Sequence, residues 1–188
     1  RLLYVPKNQK KMFYEKNIHQ ASFIIGQPDL PKEILIKAKN LKAIINVESN
    51  FMNNMDYQYC FKKGIYVIAT SPVFSKPVAE IALGMTLSLL RNIHNAHLDF
   101  IKGKEKYGLE SNLKASLLSG KKIGLIGFGD LAKSLYPLLL PFSKDINVYD
   151  PWIPKLNIQK LGFKSISLNK IFENCDVIYV LALSLIHI

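Results

Sequence analysis

Short apolar runs alternate with amphipathic stretches along most of the chain. Ala21 to Gly26 (ASFIIG) reads as a buried strand ended by glycine. PKEILIKAKNL follows, with Pro31 at a helix start and apolar residues spaced for one face. Lys42 to Val47 predicts a second strand. NMDYQYCFKKG predicts a short helix stopped at Gly64, and Ile65 to Ala69 a third strand. Strands alternating with helices predict a parallel α/β layer. Thr70 to Pro77 reads as a loop. A long helix is expected from Pro77, because Val78, Ala82, Met85, Leu89, Ile93, Ala96 and Phe100 recur at roughly 3.6 residues per turn. Leu83, Leu87 and Leu90 widen that face, so burial on more than one side is expected, against a second domain or another subunit.

Lys102 to Gly120 is polar and glycine-containing, which suits a domain boundary. A second unit begins at Lys121. KIGLIGFG reads as a strand and DLAKSLYPLLLPF as a helix that Pro137 should kink or end early, since proline lacks an amide donor. INVYD is the next strand, SLNKIFENC a helix and DVIYVLA a buried strand. The order is β-α-β, an irregular link, then α-β.

Composition changes this picture little. The 188 residues suit one large or two small domains, and 49% hydrophobic with 21% charged residues is the balance of a globular protein. No uninterrupted apolar run reaches the roughly 18 residues of a membrane span, so no membrane partner is expected. The net charge of +11 comes from singly scattered or paired lysines such as Lys10-Lys11 and Lys62-Lys63. No basic stripe interleaved with aromatics appears, which argues against specific nucleic-acid binding. Cys60 and Cys175 stand alone and read as small buried hydrophobes in a reducing compartment, so a cytoplasmic location is expected. The chain opens on Arg1, and its natural start is expected further upstream.

Chemistry concentrates in GLIGFGDLA. Gly127-Phe128-Gly129-Asp130-Leu131-Ala132 fits G-x-G-x-x-G/A between a strand and a helix. Gly127 would allow the tight turn, Gly129 would let a pyrophosphate reach the backbone, and Ala132 would let the helix pack on its strand. The helix N-terminus offers amides and a positive dipole end to phosphates, with Asp130 expected as its cap. Asp150 closes the next strand about twenty residues on, where a carboxylate accepts adenosine ribose hydroxyls and repels a 2′-phosphate. The cofactor expected is therefore NAD rather than NADP. His94 and His97, i and i+3 on the long helix, lack a third ligand of matching spacing, so no metal site is expected.

NMDYQYCFKKGIYVIATSPVFSKPVAEIALGMTLSLLRNI, LSGKKIGLIGFGDLA, VYDPW and ISLNKIFENCDVIYVLA, in this order, resemble the D-isomer-specific 2-hydroxyacid dehydrogenases (the phosphoglycerate dehydrogenase-like group) over roughly Lys42 to Ala182. The resemblance implies an α/β protein, with a flavodoxin-like substrate domain followed by a partial Rossmann NAD-binding domain. Residues 1–103 are expected to hold the substrate-domain portion and linking helix, and 104–182 the first half of the NAD-binding domain. It implies hydride transfer between C2 of a 2-hydroxy acid and NAD in a cleft between domains, and a homodimer using the helix that begins at PVAE. Gly127, Gly129, Asp130, Leu131 and Asp150 match cofactor contacts. Val78 matches a position near the nicotinamide, and Ala182 the segment beneath the cofactor. Ser49, Asn50 and Phe51 fall where the family usually has glycines whose amides hold the substrate carboxylate. Asn50 could add a hydrogen bond there and Phe51 could narrow the pocket; a subfamily loop with no substrate role is the other reading.

The family's catalytic Arg, Glu and His lie beyond the strand matching DVIYVLA, so no catalytic residue is expected in this chain and no turnover from it alone. Residues 183–188 (LSLIHI) depart from the family's continuation and match one reading frame of a sequencing-library adaptor. They are read as a non-native tail on a truncated frame, which removes His187 from consideration. An NAD(H)-sensing co-repressor-like binding protein on the same scaffold is the alternative function.

Overall fold

The computed structural model describes residues 2–6, 8, 10–47 and 51–182. The chain divides into two compact units, Arg1–Ser71 and Pro72–Ile188.

The first unit opens with helix α1 (Lys10–Asn17) and a 3-10 turn at Ile18–Gln20. Strands β1 (Phe23–Gly26), β2 (Ala43–Asn46) and β3 (Tyr66–Ala69) then alternate with α2 (Lys32–Leu35) and α3 (Tyr57–Lys62). The three strands form one parallel sheet in chain order, with Ile44 opposite both Ile24 and Val67. A core of Ile18, Ile24, Leu30, Leu35, Ile44 and Cys60 fills one face of it. The other presents Phe23, Ile25, Tyr66 and Ile68, which are 48–73% exposed, although parallel sheets ordinarily bury both faces.

The second unit begins with α4 (Ser71–Leu90), α5 (Ile93–Ile101) and α6 (Gly108–Asn112). Strand β4 (Ile123–Ile126), α7 (Asp130–Leu139), β5 (Ile146–Tyr149), α8 (Lys155–Lys160), β6 (Lys164–Ser165), α9 (Leu168–Asn174) and β7 (Val177–Val180) complete it. The strands form a parallel sheet in the order β6-β5-β4-β7, so the chain crosses over between β6 and β7. All four residues of β4 are buried, as expected of a strand with a neighbour on each side and helices above and below.

The long helix differs from its expectation. It starts at Ser71 rather than near Pro77, so the stretch read as a loop is helical. Pro72 lies in the first turn, where amides have no intrahelical acceptor, so its missing donor costs nothing there. The helix runs through Pro77 and stops at Leu90; Asn92 takes a left-handed conformation (φ 54°) and α5 restarts after it. The apolar face is thus cut, not continuous to Phe100. By length and composition alone α4 is also long and apolar enough to cross a membrane, with a mean hydropathy of 1.4, although Lys76 and Glu80 interrupt its apolar run. It packs Ala79, Ala82, Leu83, Leu87 and Leu90 on the second unit's core, while Ile81, Met85 and Leu89 stay more than 60% exposed.

Two smaller differences concern the link after β5 and the boundary between the units. The link read as irregular contains α8 and the two-residue β6, too brief for a periodic signal. α7 passes Pro137 and ends at Leu139, three residues short of Phe142, the early end expected of the proline. The packing division falls at Ser71/Pro72, ahead of α4, whereas the sequence reading drew its line after residue 103. Cys60 is buried and Cys175 half-buried, and both are free thiols. The expected tail, 183–188, lies outside the described residues.

One surface ion pair ties β6 to its neighbour. Lys164 Nζ lies 3.0 Å from Asp145 Oδ1, and this hydrogen bond holds the Asp145 carboxyl below its ordinary value. Because the folded pKa is depressed, the stabilisation is present above the ordinary Asp range near pH ~3.9. It is lost as pH falls through the lowered value. Lys164→Ala is expected to cost at most about 1 kcal/mol at neutral pH and to flatten the acid limb of a stability-against-pH curve from urea melts.

Candidate nucleotide-binding site

The glycine loop joins β4 to α7. Gly127 adopts φ +91°, a left-handed conformation that side chains disfavour, and a Cβ there would meet the Ala182 backbone nitrogen at 2.9 Å. Its amide donates to the Tyr149 carbonyl at 2.8 Å, and the Leu181 amide to the Ile126 carbonyl at 2.8 Å. The ends of β4, β5 and β7 therefore converge on this one residue. Of the positions named from sequence, Gly127 and Ala182 are brought into contact.

Gly129 is different. It caps α7 with φ −80° and ψ −157°, which any residue adopts, and a Cβ there would find nothing within 4 Å. Among the described residues nothing asks for glycine at this position. Open space over an exposed backbone at a helix N-terminus is what a pyrophosphate needs to reach the amides. The amides of Leu131 and Ala132 lie in the first turn of α7, where no intrahelical carbonyl serves them. Asp130 is the first helical residue and not the cap as expected; the cap is Gly129, with no side-chain hydrogen bond. The Asp130 carboxylate still lies at the helix end where negative charge is favoured.

Phe128, between the two glycines, is 1% exposed. Its ring packs against Tyr136 (centroids 6.2 Å apart) and Phe163 (5.2 Å). The side chain pins the loop to the core, with Gly127 buried before it and Gly129 exposed after it. The Phe128 amide donates to Asp150 Oδ2 at 2.7 Å. Asp150 Oδ1 accepts from the Trp152 and Ile153 amides at 2.8 and 2.9 Å.

A carboxylate has about four lone-pair directions, so three are engaged and one remains on Oδ2. Asp150 therefore supports the glycine loop from the end of β5, a task the sequence did not reveal. Val78, on α4, is 38% exposed. One turn before it, Ser75 Oγ is 2.9 Å from Ser134 Oγ, which ties α4 to α7. That tether, like Phe163 of the aromatic trio, carried no recognisable sequence signal.

In the first unit, Asn46 ends β2 fully buried, and Thr70 Oγ1 donates to the Asn46 and Val47 carbonyls at 3.1 and 2.9 Å. Phe51 is 53% exposed. Ser49 and Asn50 lie outside the described residues.

A parallel sheet whose central strand runs through a glycine turn into a helix, with a carboxylate closing the adjacent strand, defines a dinucleotide-binding Rossmann unit. The family profile described as "D-isomer specific 2-hydroxyacid dehydrogenase, NAD binding domain" matches residues 83–185, and the chain belongs to that family, whose cofactor is NAD. The hydroxypyruvate reductase of Thermotoga maritima is 33% identical over 146 residues, covering 78% of this chain and 45% of that protein. Among solved structures, a phosphoglycerate oxidoreductase from Rhizobium etli is similar with TM-score 0.75 and 43% identity, covering 88% of this chain and 52% of that one. A D-lactate dehydrogenase from Aquifex aeolicus, complexed with NAD and lactic acid, is 26% identical with TM-score 0.67, covering 88% and 49%. The chain spans about half the length of the relatives it matches.

Proposed function

We propose that this chain supplies the cofactor-holding part, and a portion of the substrate-holding part, of an NAD-dependent D-2-hydroxyacid dehydrogenase. Residues up to 103 hold the acid side and the linking helix, and 104–182 the first half of the cofactor side. The observation that carries the reading is Gly129, a glycine with ordinary backbone angles and open space above it. When bound, NAD accepts or returns the hydride of a 2-hydroxy acid. This chain's own residues hold and orient it. Gly129 and the first turn of α7 take the pyrophosphate, Asp150 the ribose, and Ala182 and Val78 border the nicotinamide half. Ser49, Asn50 and Phe51 belong to the loop that holds the substrate carboxylate. None of the residues assigned here moves a proton, so the 188-residue chain alone binds without turnover. The exposed row Ile81, Met85 and Leu89 on α4 is the surface for a second copy.

Trp152 is the single tryptophan, 67% exposed and two residues past Asp150, so its fluorescence reports the site directly. Titration with NAD is expected to give a saturable change, and NADP a weaker one. Asp150→Asn is expected to lower NAD affinity about tenfold, the loss of a charge-assisted hydrogen bond. It also narrows the preference for NAD over NADP, because the charge opposing a 2′-phosphate is gone. No saturable response to either dinucleotide, by fluorescence or calorimetry, would overturn the reading.

A further inference from the structure

The loop that leaves β2 is held by a knot of hydrogen bonds centred on Asn54 and Tyr57. Asn54 Nδ2 donates to the Pro28 carbonyl, and the Asn54 carbonyl accepts from the Leu30 amide at 2.7 Å. Leu30 and Met55 form a parallel bridge. The loops that follow β1 and β2 are thereby stitched together beyond the carboxyl ends of their strands, the edge of an α/β sheet where ligands bind.

Tyr57 opens α3 and reaches back over this loop. Its hydroxyl proton is shared between the Met52 carbonyl and Asn54 Oδ1, the latter 2.9 Å away. The ring meets Phe51 edge to face, with centroids 5.5 Å apart. Burial pushes the Tyr57 hydroxyl pKa up, opposed by a hydrogen bond from the Asn46 side chain at the end of β2. The hydroxyl is therefore a protonated donor at neutral pH. One side chain thus grips Phe51, Met52 and Asn54 together.

The helix beneath does not depend on that grip. Cys60 is fully buried, Met55 is 8% exposed, and Asp56 caps α3 by accepting the Tyr59 amide at 2.8 Å. Removing the hydroxyl leaves all three in place. What it frees is the loop, a segment of low local stability that opens without global unfolding.

We propose that Tyr57 is a positioning residue for the substrate-carboxylate loop: its hydroxyl fixes the main chain of Phe51–Asn54 in the geometry that receives a 2-oxo acid. This rests on the functional reading above. A loop that spends only part of its time in the receptive geometry binds with an apparent affinity reduced by that fraction.

The test uses the full chain, saturated with NAD and titrated with hydroxypyruvate, an oxidised pair that cannot turn over. Amide resonances are followed by nitrogen–proton correlation spectra. In the wild type, resonances of 51–54 should shift saturably. Tyr57→Phe is expected to weaken hydroxypyruvate about three- to tenfold, the worth of one hydrogen bond, and to displace those resonances in the free protein. NAD affinity and thermal midpoint should hold. Wild-type affinity for the acid in Tyr57→Phe would overturn the proposal and leave the functional reading standing. So would an equal loss in Phe61→Ala, which touches the ring (6.4 Å) but not the loop, since it would mark general loosening of α3. A wild-type chain that binds NAD and no 2-oxo acid would overturn both.

Discussion

Gly129→Val is expected to leave the protein folded and to abolish measurable NAD binding. The backbone at 129 sits at φ −80° and ψ −157°, in the extended region, and a Cβ there finds no atom of the described residues within 4 Å. The only internal cost is a poorer helix cap, about 1 kcal/mol. The valine instead fills the space through which a pyrophosphate approaches the first-turn amides of α7. A loss of at least about a hundredfold, on the order of 2.7 kcal/mol, is expected. Thermal melts and Trp152 fluorescence titrations on the same samples separate the two effects. A valine variant that binds NAD like the wild type would mean the cofactor does not lie over this turn. Gly127 makes the contrast plain, because there a Cβ runs into Ala182 at φ +91° and the fold itself gives first.

Phe128→Ala carries the largest expected change in stability, about 3–5 kcal/mol. The ring is 1% exposed and is one corner of a trio in which Tyr136 and Phe163 also meet, with centroids 4.9 Å apart. Truncation removes the contacts of a whole aromatic ring and leaves a cavity that two neighbouring rings cannot close without leaving their rotamers. Against a typical domain stability of about 5–15 kcal/mol, that is enough to populate partly unfolded forms at body temperature. Trp152 lies in the same unit, so urea melts followed by its fluorescence read the loss directly. A midpoint unchanged from the wild type would mean the loop is held by its backbone bonds alone.

Much of the nucleotide unit was legible because several signals agree at one place. β4 is uniformly apolar, the glycines fall at fixed spacing, and an acid closes the next strand. Each of these is local, so the sequence shows it directly. What was not legible depends on partners distant in the chain. Nothing in DPW shows that Asp150 spends three of its acceptor positions on amides, one of them from Phe128. Nothing in TSPVFSKP separates a proline at a free helix start from one that breaks a helix, so α4 began six residues before its expected start. The break at Asn92 hides inside an apolar rhythm that continues across it, because periodicity records which side faces the core and not whether the axis is continuous. In the first unit, the stitch from Asn54 to Pro28 spans a strand and a helix and leaves no pattern at all.

In the site proposed above, Asp150 is both reader and strut. The carboxylate that stands at the ribose position also holds the Phe128 amide and folds the turn through Trp152 and Ile153. On that reading, cofactor choice and loop shape are written into one side chain. A change of this residue meant only to admit a 2′-phosphate also removes some or all of the three anchors of the turn beside it. Converting the site to NADP is therefore expected to take two substitutions, one to welcome the phosphate and one to replace the lost scaffold.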